Sequence, residues 1–198
     1  MQNKKYLLLI LMLLLPLSLS SCSSWFMLEN NPKKYGKYDY IPQGGGHYKL
    51  GEPYQIKGEW YYPEVDNDYD KTGIASWYGD YFHGRLTANG EYYDMNSLSA
   101  AHKTLPLPSY LRVTNLENKK SIIVRLNDRG PYIDDRIIDL SKKAATELGM
   151  LKQGTAKVRV QYIEEAPLDG NDSEYFKNSK PGFLRKMWRA TSSALADM

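Results

Sequence analysis

VRLNDRGPY, residues Val124–Tyr132, is a strand-like run that ends in Asn127, Asp128, Arg129, Gly130 and Pro131. Read alone, it is a strand and a turn, because Asn and Asp favour turns by bonding their own backbone and Gly-Pro ends a strand. The Asp-Arg pair adds something a plain turn does not need: both charge signs at a strand end, where chemistry is commonly mounted. Working outward, Leu111–Leu116 and Ser121–Leu126 are two strand-like runs around Glu117, Asn118, Lys119 and Lys120, which reads as a hairpin. On the second run Ile122, Val124 and Leu126 share one face and Ile123, Arg125 and Asn127 the other, so the polar end begins at Arg125.

After the turn, RIIDLSKKAATELGM reads as a strand end and a short helix, with Ser141 as N-cap, Ala144, Ala145 and Leu148 as the apolar face and Gly149 as the stop. A last strand, Ala156–Ile163, alternates Val158, Val160 and Tyr162 with polar partners, and the domain is expected to close near Glu165. On the N-terminal side, GIASWYGDYFHGRLTANGEYYD opens the domain at Gly73 and turns at Gly79, Gly84 and Gly90, with His83 and Glu91 as exposed candidates on those loops. His102 precedes a Leu-Pro-Leu-Pro segment that cannot be helical.

Upstream, Glu52–Pro63 alternates around Lys57-Gly58 and suits a small hairpin. Its Trp60, Tyr61 and Tyr62 read first as packing on the main domain, with sugar stacking as the functional alternative. Ser23 to about Leu50, carrying Gly44, Gly45 and Gly46, has no sustained period and reads as a tether. Beyond Pro167 a polar stretch leads to Phe183, Leu184, Met187, Trp188 and Leu195, which line one face of a short amphipathic terminal helix or belong to a frayed tail. The expected organisation is residues 1–21 as a signal, 22–72 as tether and Tyr-rich arm, 73–165 as the folded domain, and 166–198 as polar linker and terminal helix.

The 198 residues hold 26 basic and 23 acidic side chains, well interspersed, with a net charge of +3, so the clustered Lys and Arg of a nucleic-acid surface are not there. The three His residues are not at ligand spacing and the sole Cys lies near the N-terminus, so neither a metal nor a cofactor is expected. There is no phosphate loop, dinucleotide fingerprint or Gly-x-Ser-x-Gly elbow. Acid chemistry remains, from Glu91, Asp94, Asp128, Asp134, Asp135 and Asp139, with His102 as the central imidazole. Loop position and the neighbouring Gly and Pro favour Glu91 and Asp128 among these carboxylates.

At the N-terminus, Lys4 and Lys5 precede an apolar run from Tyr6 to Leu17, too short to span a bilayer comfortably and built like an export signal. Leu19, Ser20, Ser21 and Cys22 resemble a bacterial lipobox, which implies cleavage before Cys22, a lipid on that residue and a membrane-anchored envelope protein. Ser23 after it fits sorting to the periplasmic face of the outer membrane. Taken together, GIASWYG, FHGRLTANGEYYD, SLSAAHKTLP, LRVTNL, VRLNDRGPY, RIIDLSKKAA and LGM resemble the rare lipoprotein A family of septal-ring lytic transglycosylases, in order from Gly73 to about Ile163. YKLGEPYQIKGEWYYP also resembles a segment upstream of the domain in many members.

The resemblance implies a mainly β fold, a six-stranded double-psi β-barrel with a short helix, here preceded by a Tyr- and Gly-rich arm. It implies cleavage of the bond from N-acetylmuramic acid to N-acetylglucosamine in peptidoglycan by attack of the muramoyl C6 hydroxyl on its own C1. The product is a 1,6-anhydro end. It carries Glu91, His102 and Asp128 over as the catalytic set: Asp128 as general acid and then base, Glu91 as stabiliser of positive charge or as a like charge keeping Asp128 protonated, and His102 as an orienting group. Trp77, Tyr78 and Arg129 are the expected substrate-binding residues. Two departures stand out: Leu107, Pro108, Ser109 and Tyr110 replace a glycine turn common in members, and only about thirty residues follow Pro167, too few for the terminal SPOR domain many members carry. Septal targeting and preference for denuded glycan are therefore not carried over. The competing expectation is a non-catalytic barrel that grips wall polysaccharide as expansins do, or a structural envelope lipoprotein.

Overall fold

The computed structural model describes residues 34–133 and 135–178. The expected signal, lipidated Cys22, Asp134 and the terminal Phe183–Leu195 stretch lie outside the described residues. Two short strands, β1 (Tyr54–Ile56) and β2 (Glu59–Tyr61), precede β3 (Asp70–Trp77), β4 (Ser99–His102), β5 (Ser109–Asn115), β6 (Ser121–Asp128), β7 (Arg136–Leu140) and β8 (Ala156–Glu165). Helix α1 (Lys142–Glu147) lies between β7 and β8, and α2 (Ser173–Asn178) follows β8.

β3 to β8 close into a barrel in the order β3-β7-β4-β6-β5-β8, so no barrel edge is left for another chain to pair with. β3 runs parallel to β7 and β4 to β6, and the remaining neighbours are antiparallel. Alternation sends Ala75, Ala100, Leu111, Val113, Val124, Leu126, Ile138, Leu140, Val158 and Val160 into one buried cluster. α1 caps that cluster with Ala144, Ala145 and Leu148, and Ser141 accepts the Ala144 N–H at 3.1 Å as the N-cap. The β5–β6 hairpin forms around Glu117–Lys120, where Lys119 takes the left-handed conformation.

The outer face of β6 is also covered. Ile123 packs with Tyr110 and Ala166, and Arg125 and Asn127 are buried. Part of the stretch read as a tether lies on the barrel as well: the Gly45 N–H donates to Leu168 at 2.9 Å, that of His47 to Asn89 at 2.9 Å, and Lys49 pairs with Leu107 in both directions. At Gly44 a Cβ would come within 2.5 Å of the Leu168 carbonyl, so only glycine fits between arm and strap. This packing corrects the expectation that His83 and Glu91 are exposed. They are 1% and 3% accessible, because residues 34–49 cross the loops that carry them.

Candidate functional site

Asp128 ends β6 at a point where the pairing with β4 slips. Ala100 faces Leu126, but Ala101 faces Asp128, leaving Asn127 as the extra residue of a bulge. Bulges re-aim side chains, and this one turns Asp128 onto the row of Ala101. Gly130, at φ 138°, lets the chain leave the strand at once. The Asp128 Oδ1 accepts two backbone N–H groups, from Ala88 and from Arg129, each at 2.8 Å, while its Oδ2 has no hydrogen-bond partner among the described residues. Burial pushes the Asp128 carboxyl up to about 6, against the pull of those two N–H groups and of the Arg129 and Lys49 charges.

Ala101 also pairs with Asp139 on its other side, and Asp139 pairs with Ser76 of β3. Ser76, Asp139, Ala101 and Asp128 therefore lie side by side on four neighbouring strands. Two strand spacings, about 10 Å at the backbone, separate the two carboxyl-bearing residues, with Ala101 between them in the row. Asp139 accepts from the Ser76 hydroxyl at 2.7 Å and has Arg136 at 3.5 Å, and burial raises its carboxyl too. Both carboxylates act on the buried Tyr78 hydroxyl, whose pKa burial already raises. Asp139 was one carboxylate among several in the sequence. Its place beside Asp128 depends on the β4–β7 register, which no local motif reports.

Glu91 is engaged by an arginine and two asparagines. Its carboxylate is gripped by Arg125 through Nε at 3.0 Å and Nη2 at 2.7 Å, by the Asn127 amide at 2.9 Å and by the Asn89 amide at 3.0 Å. Burial alone would raise its pKa, but Arg125 and the two amides bring it below the usual carboxylate value. Glu91 is thus a held anion whose amide partners flank the Asp128 cradle: Asn127 precedes Asp128, and Asn89 follows the Ala88 donor. Arg125 also bonds Asp172 at 3.0 Å and the Pro167 carbonyl at 2.8 Å, tying the strap after β8 to the barrel.

His102 is buried and neutral. Its Nδ1 accepts the N–H groups of Thr104 and Leu105, both at 3.2 Å, so the proton sits on Nε2 and is donated to the Tyr69 hydroxyl at 2.9 Å. Burial first, then the Arg129 and Lys103 charges, lowers it to about 3. The Arg129 guanidinium donates to the carbonyls of Leu105 at 2.6 Å and Leu50 at 2.5 Å, joining the loop after β4 to the arm. Trp77 is half-buried at the end of β3, and the Tyr78 ring packs on Tyr93 with centroids 4.3 Å apart. A cleft of about 280 Å³ opens beside His102, lined among others by Tyr61, Tyr69, Lys103 and Arg136. A larger hollow of about 620 Å³, next to Leu98, Ile122 and Phe176, contains none of the expected site residues. Among the described residues no group of three His, Cys, Asp or Glu side chains is placed to hold a metal, and no helix is long and apolar enough to cross a membrane.

A closed six-stranded barrel of mixed strand direction, with two carboxyls of raised pKa two strands apart on its wall, is a double-psi β-barrel. Residues 70–160 match the family model described as lytic transglycolase. The endolytic peptidoglycan transglycosylase RlpA of Rickettsia bellii is 43% identical over 190 residues, covering 91% of this chain and 81% of that one. Its namesakes in Pseudomonas aeruginosa and Neisseria meningitidis are 54% and 52% identical over 64% and 63% of this chain. The chain spans 37% and 54% of their lengths. The chain belongs to the endolytic peptidoglycan transglycosylase RlpA family.

Proposed function

We propose that this chain is an endolytic peptidoglycan transglycosylase in which Asp128 is the general acid and then the base. The observation that carries the assignment is its carboxyl: one oxygen held by two backbone N–H groups, the other without a partner among the described residues, and a pKa raised to about 6. A carboxyl with that affinity is protonated often enough near neutrality to give a proton and basic enough to take one back. Protonation of the oxygen linking muramic acid C1 to glucosamine breaks that bond and releases the glucosamine hydroxyl. The Asp128 carboxylate then takes the proton of the muramoyl C6 hydroxyl as its oxygen closes on C1. The acid is regenerated and no water is consumed, so the two-carboxylate arithmetic of hydrolases does not apply.

Asp139, across Ala101, supplies negative charge facing the positive charge that develops at C1, with Ser76 and Arg136 fixing its orientation. Glu91 acts as a positioning residue through Asn127 and Asn89, and His102 holds the loop whose Leu105 carbonyl anchors Arg129. Trp77 offers a part-exposed ring to the sugar, while Tyr78 and Arg129 support the groove from within the wall. The substrate places the protein in the cell envelope, with a lipid on Cys22 anchoring it at the periplasmic face of the outer membrane.

Incubation with intact and amidase-stripped peptidoglycan, followed by mass spectrometry, tests the reading: anhydromuramoyl ends are expected. Binding to both substrates without such products would make the protein a non-catalytic wall binder. The acid form of Asp128 is lost as pH rises through about 6. Initial rates on subsaturating glycan are therefore expected to fall above that pH, approaching about tenfold per unit. A flat profile between pH 5 and 8 would remove Asp128 as the acid. Asp139→Asn is expected to lower turnover roughly a hundredfold with little change in KM, because the charge it supplies matters most in the transition state.

A further inference from the structure

The β1–β2 hairpin is a two-stranded ribbon outside the barrel, and its two faces have different fates. Tyr54 pairs with Tyr61 and Gln55 with Trp60, so Tyr54, Ile56 and Tyr61 share one face, while Trp60 and, two residues on, Tyr62 share the other. The first face is committed to the barrel. The Tyr54 hydroxyl donates to the Lys103 carbonyl at 2.7 Å, the Lys103 ammonium donates to the Tyr61 hydroxyl at 3.2 Å, and Ile56 is buried. The second face is open: Trp60 is 53% and Tyr62 60% accessible, with rings 27° from parallel and centroids 6.2 Å apart. The packing and sugar-stacking readings of this segment are thus divided between its faces, and Tyr61 belongs to the first.

Three connections join the open pair to the candidate site. Lys103, which holds the hairpin, directly follows His102. The Glu64 N–H, just past Tyr62, donates to the Thr104 carbonyl at 3.2 Å. Arg129, beside Asp128, donates to the Leu50 carbonyl just before the hairpin. Glu59 and Tyr61 also line the cleft beside His102, so the ribbon adjoins that cleft. Two large aromatic rings, each with two χ angles, on a ribbon hydrogen-bonded to the barrel lose little conformational freedom on binding, and their apolar faces match the C–H faces of pyranose rings.

We infer that Trp60 and Tyr62 form an accessory glycan-binding surface, which stacks sugar rings of the same strand outside the cleavage site. The inference rests on the glycan-cleaving reading for the identity of its ligand. A long strand then gains affinity from the hairpin, whereas a fragment no longer than the groove does not.

The test uses the full chain carrying Asp128→Asn, so that glycan is bound and not consumed. Co-sedimentation with isolated peptidoglycan sacculi is compared for that protein and for versions with Trp60→Ala, Tyr62→Ala or both. A loss of about five- to tenfold in affinity is expected for each ring, with Tyr62→Phe binding normally and thermal melting unchanged. In the otherwise native chain, the double replacement is expected to raise KM for long strands while leaving kcat and the turnover of short fragments in place. Unchanged binding of the double variant to sacculi would overturn the proposal. So would normal sacculus binding with weakened sedimentation on phosphatidylglycerol-containing vesicles, since the pair would then be a membrane contact. Absence of anhydromuramoyl products from the native chain would count against the catalytic reading, and unchanged sacculus binding against the hairpin surface, so the two failures remain distinct.

Discussion

Asp128→Asn is expected to lower anhydromuramoyl product formation by about a hundredfold to ten-thousandfold, the usual contribution of a positioned general acid. The replacement separates chemistry from architecture. The Asn carbonyl oxygen can accept the same Ala88 and Arg129 N–H groups that Oδ1 accepts, so the strand end keeps its cradle. In the proposed mechanism, what disappears is a carboxyl oxygen that carries a proton to the leaving group and receives one from the C6 hydroxyl. Removing a carboxyl that burial holds at about 6 also removes a cost of folding at neutral pH, where the native protein must bury it largely ionised. Thermal stability at pH 7 should therefore be equal to or above that of the native chain. Loss of product with a preserved melting temperature, measured on the same preparation, is the predicted pair of results. Retained cleavage would transfer the proton donor to Asp139, and the double replacement Asp128→Asn with Asp139→Asn would then be the variant that loses product.

Local pattern carried the reading wherever one segment specifies its own structure. Ser141, Ala144, Ala145 and Gly149 announce the helix from within a few residues, and Ile122, Val124 and Leu126 announce a buried strand face. Lys57-Gly58 announces the hairpin turn, where both residues adopt positive φ. The barrel itself came from a run of family motifs, because closure depends on β3 meeting both β7 and β8, pairings between distant segments that periodicity cannot report. The site shows the same division. Asp128 stood out through its Asn-Asp-Arg-Gly-Pro context, but its neighbour Asp139 emerges only once β4 lies between β6 and β7. Glu91 and His102 carry the same kind of motif signal as Asp128. Their partners, Arg125 on one side and Tyr69 with two backbone N–H groups on the other, give them the positioning roles proposed above. Motif membership marks residues that a site needs, and does not separate those that meet substrate from those that hold the others in place.

Arg125 makes that division measurable. Its guanidinium is buried, with side-chain exposure of 3%, and it pairs Glu91 and Asp172, which are 3% and 4% exposed. Arg125→Met keeps much of the volume and strands two carboxyls, so a loss of about 3–5 kcal/mol in unfolding free energy is expected near neutral pH. The pH dependence should change as well. In the native chain Glu91 lies below its usual pKa, so its contribution is present above the unfolded carboxylate range and is lost as pH falls through its folded pKa. Asp172 lies above its usual value through burial, so its ionisation costs stability as pH rises through the carboxylate range. Without Arg125, burial acts on both groups without that cation to oppose it, and both should then resist ionisation. The variant's deficit in urea unfolding should accordingly be largest near pH 7 and shrink toward pH 4, where both carboxyls can be neutral. The Tyr110 hydroxyl, bonded to Asp172 at 2.5 Å, remains as a partner for that acid. A deficit equal at both pH values would mean that Arg125 stabilises through packing rather than charge.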